Sequence, residues 1–276
     1  MTLKLTKKNL SPCLNKELLH DKKINIRIEP IFTLTLKNTF KIYGFELLFT
    51  KKYGERTLNG YSVEEFFKKI SPKEDFQIFL EHLKNLVMLH EKICKLFCKK
   101  KHCSKVFFIN LTAKTWISFN IEILERCQKI FEKTGFSINI EITEFQNLLK
   151  EEKKKFLQVY FQNKEKEKRR LKENIINISI DDFGKGFSNF ELVNHLKPEY
   201  VKIDLSYIPP RLATDIAFYF IQNYLVKKGI IFEKIETIEQ LNEILACFPF
   251  HFKSSHFKTF SHIKLPFFFQ GFLFYR

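Results

Sequence analysis

A chain of 276 residues is long enough to bury the core of one large domain. Its formal charge of +16 would draw in anionic ligands, but no helix-turn-helix pattern, zinc-finger spacing or aromatic RNA-binding motif accompanies it, so nucleic acid is not an expected partner. No apolar run reaches the length of a bilayer span, and residues 1–21 lack the continuous apolar core of a signal peptide, so a cytoplasmic location without membrane contact is expected.

Residues 1–23 read as a basic arm. The run Tyr43-Gly44-Phe45-Glu46-Leu47-Leu48 then embeds one Glu among apolar neighbours, a costly burial unless the charge is paired or bound to a metal. Ser62 and Glu65 mark a helix start, and residues 75–98 carry apolar side chains at helical spacing. His90, Cys94 and Cys98 share a face of that helix, but their spacing fits no standard zinc signature, and free thiols are expected.

Val106-Phe107-Phe108-Ile109-Asn110-Leu111 is an apolar strand ending in a carboxamide, followed by a helix over 117–133. Ile138, Ile140 and Ile142 alternate with Asn139, Glu141 and Thr143, a second strand that leads to a helix over 144–160. The bases between 150 and 170 are interleaved with Glu151, Glu152, Glu165 and Glu167, the pattern of a solvated helix surface.

Ile176, Ile178 and Ile180 alternate with Asn177, Ser179 and Asp181, a strand that delivers Asp181 and then Asp182 to the loop Phe183-Gly184-Lys185-Gly186-Phe187-Ser188. Adjacent acids at a strand tip beside a glycine loop suit a hard metal ion and a phosphate-bearing substrate, or simply end the strand in a polar turn. Tyr200-Val201-Lys202-Ile203-Asp204 buries a Lys in the same manner, and Ile230-Ile231-Phe232-Glu233-Lys234-Ile235-Glu236 supplies two more acids. Helices are expected over 189–196, 210–228 and 237–247. Each charge alone reads as a strand-edge residue, whereas the recurrence is better explained by one shared polar site. Strands alternating with helices imply a parallel sheet.

These residues carry a resemblance. Glu29-Pro30-Ile31, Glu46-Leu47-Leu48, Asn110-Leu111-Thr112, Glu141-Ile142-Thr143-Glu144, the Asp181-Asp182-Phe183-Gly184-Lys185-Gly186 loop, Lys202-Ile203-Asp204, Glu233-Lys234-Ile235-Glu236-Thr237 and Gln270-Gly271-Phe272-Leu273-Phe274 follow the motifs of the EAL domain family in order and approximate spacing. The resemblance implies an α/β fold, a TIM-like (β/α) barrel of EAL type over 24–276 with one strand antiparallel to the rest. It implies a metal-dependent phosphodiesterase that cleaves cyclic di-GMP to linear pGpG in bacterial signalling. Glu46, Asn110, Glu141, Asp181, Asp182 and Glu233 would hold one or two Mg²⁺ or Mn²⁺ ions. Glu233 would alternatively be the base acting on water, and Lys202 would offset charge on the phosphate. Glu144 and Glu236 would support the ligands, with Gln270 a further polar contact. The alternative is an EAL-like receptor for cyclic di-GMP, or an adaptor that binds another protein, with turnover weak or lost. A homodimer is compatible with either reading.

The chain departs from the family at two positions. Four residues after the motif Glu, where the family has a phosphate-binding Arg, stands Thr50, and Lys52 shares its strand parity. Lys234 replaces the Gly of Glu-Gly-Val-Glu and would strain its loop if that position needs a positive φ. Loss of the Arg removes a charge-assisted contact worth about 1.5–3 kcal/mol. Thr50→Arg is therefore expected to tighten cyclic di-GMP binding in a calorimetric titration, and Lys52→Ala to loosen it. Tight binding by the natural protein, unchanged by Thr50→Arg, would assign the phosphate contact to another cation.

Overall fold

The computed structural model describes residues 26–34, 40–49, 52–53, 56–57, 70–94, 105–143, 148–170, 176–185, 189–252 and 267–270. The basic arm, the helix start at Ser62, Thr50, Cys98, Glu144 and most of the aromatic segment 247–264 lie outside them.

Strands β1 (Ile26–Leu34), β2 (Phe40–Phe49), β5 (Val106–Thr112), β6 (Ser137–Thr143), β7 (Ile176–Phe183), β8 (Tyr200–Asp204), β9 (Gly229–Glu233) and β10 (Phe267–Phe269) form a closed barrel. Their order around it is β1-β10-β9-β8-β7-β6-β5-β2. β1 runs antiparallel to β10, with Phe32 opposite Phe269, while β10–β9, β9–β8, β8–β7, β6–β5 and β5–β2 pair in parallel. The mixed TIM-like barrel with its antiparallel first strand is therefore present. A separate two-stranded ribbon pairs β3 (Lys52–Tyr53) with β4 (Arg56–Thr57). Helices α1 (Pro72–Ile93), α2 (Ala113–Thr134), α3 (Lys150–Arg170), α4 (Phe190–Leu196), α5 (Pro210–Gln222) and α6 (Ile238–Phe252) alternate with the strands. No helix among the described residues is long and apolar enough to cross a membrane.

The chain divides into two units, one with Pro30–Tyr43 and Ser179–Arg276, the other with Gly44–Ile178 and residues 26–29. In the Gly44–Ile178 unit the parallel strands are buried on both faces, so they read as nearly unbroken apolar runs. Phe45 stacks on Phe107 and Phe107 packs on Phe136. Gly44 is required by close approach, because a β-carbon there would lie 2.4 Å from the carbonyl oxygen of Val106. In the other unit Phe232 packs between Phe267 and Phe269, and the hydroxyls of Tyr43 and Tyr200 make a half-buried contact.

Helix boundaries differ from the apolar periodicity where caps decide them. α1 begins at Pro72 rather than 75 because Ser71 and Glu74 form a reciprocal capping box. α2 begins at Ala113 rather than 117 because Thr112 caps it, and it ends at Gly135 with φ 74°. α3 starts at Lys150, later than the expected 144, and its first turns carry the exposed Lys154–Glu151 pair at 3.0 Å. α5 stops at Gln222 and α6 runs on to Phe252.

One buried carboxylate ties α1 to the end of β5. Asp75, 1% exposed, accepts hydrogen bonds from the backbone N–H of Thr112 at 3.0 Å and its hydroxyl at 2.8 Å. Burial pushes the Asp75 carboxyl up, and the Thr115 and Thr112 hydroxyls and the Thr112 N–H oppose this. Asp75→Ala would leave these donors buried without their acceptor, costing about 1–3 kcal/mol per orphaned group. The expected result is a lower midpoint in urea denaturation, with Asp75→Asn retaining part of the loss. A midpoint unchanged in Asp75→Ala would show that the contact holds nothing.

Candidate active site

The geometry of the Ser179–Arg276 unit rests on an irregularity at the end of β7. Ile180 pairs with Val201 and Phe183 with Ile203, so Asp181 and Asp182 together stand opposite Lys202. In a regular strand two consecutive side chains point to opposite faces. The extra residue and a left-handed backbone at Asp182, φ 48°, re-aim the second carboxylate. The Asp182 N–H donates to Asp181 Oδ1 at 2.9 Å, which fixes the turn. Gly184 follows with φ 98°, and a β-carbon there would meet Ile208 at 2.6 Å.

β8 lies between β7 and β9, and its central Lys202 is 1% exposed. Its Nζ stands 3.2 Å from Asp181 Oδ1 and 2.8 Å from Glu233 Oε1. Asp181, Asp182 and Glu233 each present a carboxylate oxygen, all within 4.8 Å of one another. Burial, and next the charge of Asp181, push the Asp182 carboxyl up, against the pull of Lys185, Lys234 and Lys202. Three converging carboxylates are a hard-oxygen donor set that fits a divalent cation such as Mg²⁺, Mn²⁺ or Ca²⁺. Lys202 occupies the edge between two of them and leaves Asp182 to the other side.

Two residues here were not singled out as site residues from the sequence. Asp204 is fully buried, opposite Glu233 in register; its Oδ1 accepts the N–H and hydroxyl of Ser206 at 2.7 and 2.6 Å, and its Oδ2 is ion-paired with Lys234 Nζ. The signal was present, since Lys202 and Asp204 are two apart on one strand and so share a face. Lys234 was noted only as a replaced Gly, and its φ is 55°, the left-handed value at which Gly is favoured. Burial works against its ammonium, but the hydrogen bond to Asp204 and the charges of Asp204, Asp182 and Glu233 push its pKa up. Glu236 is exposed at the start of α6, where its N–H donates to Gln240. Gln270 is buried, and its backbone bonds to Phe232 and Ile235 pin the end of β10 to β9.

The Gly44–Ile178 unit assembles its own polar group. Glu46 on β2 is 6% exposed and accepts a hydrogen bond from Asn110 Nδ2 at 3.4 Å. Asn110 stands opposite Glu141 of β6 in register, and Glu141 is fully buried. Lys52 lies in the β3–β4 ribbon. His90 packs its ring edge-on to Phe136 and Cys94 is a buried free thiol.

No curated protein sequence matches the chain. Solved structures do. The Bacillus subtilis YkuI protein with an EAL domain, in complex with substrate c-di-GMP and calcium, matches at 18% identity and TM-score 0.57, over 94% of this chain and 57% of that one. Klebsiella pneumoniae BlrP1 in its manganese and cyclic di-GMP complex matches at 17% and 0.55, over 90% of this chain and 54% of that one. An EAL domain protein from Listeria monocytogenes EGD-e matches at 17% and 0.55, over 96% and 94%. The chain thus spans little more than half the length of YkuI and BlrP1, and likeness at these identities speaks to the fold. The sequence family described as EAL domain matches residues 17–246, most of the chain, with the acids and Lys202 inside that span; the chain belongs to the EAL domain family.

Proposed function

We propose that the protein is a metal-dependent phosphodiesterase of the cytoplasm that hydrolyses cyclic di-GMP to linear pGpG. The observation that carries this is the convergence of Asp181, Asp182 and Glu233 with a buried Lys202 among them, in a member of the EAL family. That YkuI and BlrP1 bind cyclic di-GMP together with calcium or manganese supports the ligand class.

Asp181, Asp182 and Glu233 would hold Mg²⁺ or Mn²⁺, and Glu46, Asn110 and Glu141 are assigned to the same ligand set on their motifs. When bound, such an ion would supply polarisation of the phosphate and a lowered pKa for a nearby water. Glu233 would alternatively be the base that orients a water and takes its proton, rather than a ligand. The water oxygen would then add to phosphorus as the bond to the ribose 3′ oxygen breaks, and the proton taken from the water would pass to that leaving oxygen, opening the ring to a 5′-phosphorylated linear dinucleotide. Lys202 offsets negative charge on the phosphate as it becomes pentacovalent. Glu144, Glu236 and Gln270 are assigned supporting roles, and residues 24–276 form the phosphodiesterase domain.

Chromatographic separation of products after incubation with cyclic di-GMP and Mg²⁺ or Mn²⁺ tests this directly. The expected product is pGpG, lost in excess chelator and in Glu46→Ala or Asp181→Ala. Undiminished hydrolysis in those variants would remove the metal assignment, and binding without turnover under every metal condition would favour the receptor reading, which the Lys234–Asp204 pairing supports.

Lys202→Ala separates transition-state stabilisation from ground-state binding. The expected effect is a fall in kcat of about 10²–10³-fold with a much smaller change in KM. If instead the melting temperature collapses and activity falls only in proportion, Lys202 serves to stabilise the barrel.

A further inference from the structure

Lys234 is the one lysine of the cluster whose presence the backbone opposes. At φ 55° a β-carbon crowds the following carbonyl, a strain that Gly avoids. The side chain is nevertheless held at several points. Its Nζ is paired with the fully buried Asp204, and it lies 5.7 Å from the centre of the Tyr207 ring, which Lys185 approaches at 5.6 Å. Lys185 is in turn 3.5 Å from Asp182. The Lys234 charge acts on Asp182 and Glu233 as well as on Asp204. Asp181, Asp182, Asp204 and Glu233 therefore face Lys202, Lys185 and Lys234, and most of the acid charge is balanced by lysines within the chain.

We propose that Lys234 is a resident counter-ion of this cluster, which supplies part of the positive charge that a divalent ion would otherwise bring and so sets how loosely that ion is held. The inference rests on the metal-site reading above and goes beyond it, because Gly at this position would leave Asp204 and Asp182 without that ammonium. Lys234 pairs with Asp204, beside the three converging carboxylates, and its charge repels a divalent ion held there, so binding of that ion is opposed by the lysine already present. The consequence is a site whose loading follows the supply of divalent ions, so that turnover responds to their concentration.

The test is calorimetric titration of the full chain with Mn²⁺, without substrate. Lys234→Gln removes the charge but keeps a long side chain on the same strained backbone, Lys234→Gly removes both, and Lys234→Arg keeps the charge. Gln and Gly are expected to tighten Mn²⁺ binding by about tenfold, with Arg close to the natural protein. Melting temperature checks the fold; Lys234→Gly relieves the left-handed strain but leaves the fully buried Asp204 without its ammonium, so it is expected to melt below the natural protein. Equal Mn²⁺ affinity in the natural protein and Lys234→Gln overturns the proposal, as does tightening in Gly alone, which would trace the effect to the backbone. Should the Gln variant not fold, Lys234→Met takes its place against Lys234→Arg, since both keep a long side chain on the left-handed backbone and only Met lacks the charge. Failure of the metal-site reading looks different, with no Mn²⁺ bound by the natural protein or by any variant.

Discussion

An ammonium buried at the centre of β8 is the constraint on which the rest of the Ser179–Arg276 unit depends. Lys202 is 1% exposed, and a charge taken out of water costs several kcal/mol unless partners repay it. The barrel order supplies those partners, because β7 and β9 flank β8 and each carries an acid near its carboxyl end. Asp181 and Glu233 reach Lys202 from opposite sides, so the cation fixes the distance between two carboxylates that would otherwise repel. Without acids on the neighbouring strands the lysine could not be buried, so the same ion pairs that permit its burial also hold two of the candidate ligands near one another.

The sequence made the strands legible because parallel barrel strands are buried on both sides and tolerate polar residues only for a reason. A Glu in Tyr43–Leu48, a Lys in Tyr200–Asp204 and the acids after Ile180 and Phe232 stood out against those runs, and each is buried or half-buried in the structure. Within the Ser179–Arg276 unit Asp181, Asp182, Lys202 and Glu233 come together. Within the other unit Glu46 and Asn110 are hydrogen-bonded. What strand parity did not give was Asp182, which in a regular strand would face away from Asp181. Its convergence needs an inserted residue and a positive φ, and alternation carries no sign of a bulge.

Helix ends were the least legible feature, for an equally local reason. Periodicity locates the apolar face of α1 and α2, but where a helix begins is decided by which side chain accepts the orphan N–H groups. Ser71 and Thr112 do so several residues before the apolar pattern becomes clear. Thr112 also shows why the boundary matters. It ends β5 two residues after Asn110, caps α2, and donates to Asp75 of α1, so one residue fixes the turn that follows a candidate ligand.

Positive φ at non-glycine residues separates structural from functional strain. Among the described residues these are Asp182, Lys197, Tyr224 and Lys234. Lys197 is the C-cap of α4, and Tyr224 lies just beyond the C-cap of α5, where a left-handed residue lets the last carbonyls find donors. Those two follow from the way helices stop. Asp182 lies near the end of β7 and Lys234 just after β9, where no such need exists, and both carry side chains engaged in the acid cluster. Backbone strain of this kind persists only where surrounding interactions over-determine it. For Asp182 those interactions are the hydrogen bond to Asp181 and the ion pair with Lys185; for Lys234 they are Asp204 and the face of Tyr207. In both cases electrostatics at the carboxyl end of a strand offsets what the backbone loses. A residue with no charge to contribute there would have no way to recover that cost, and glycine would be the stable choice.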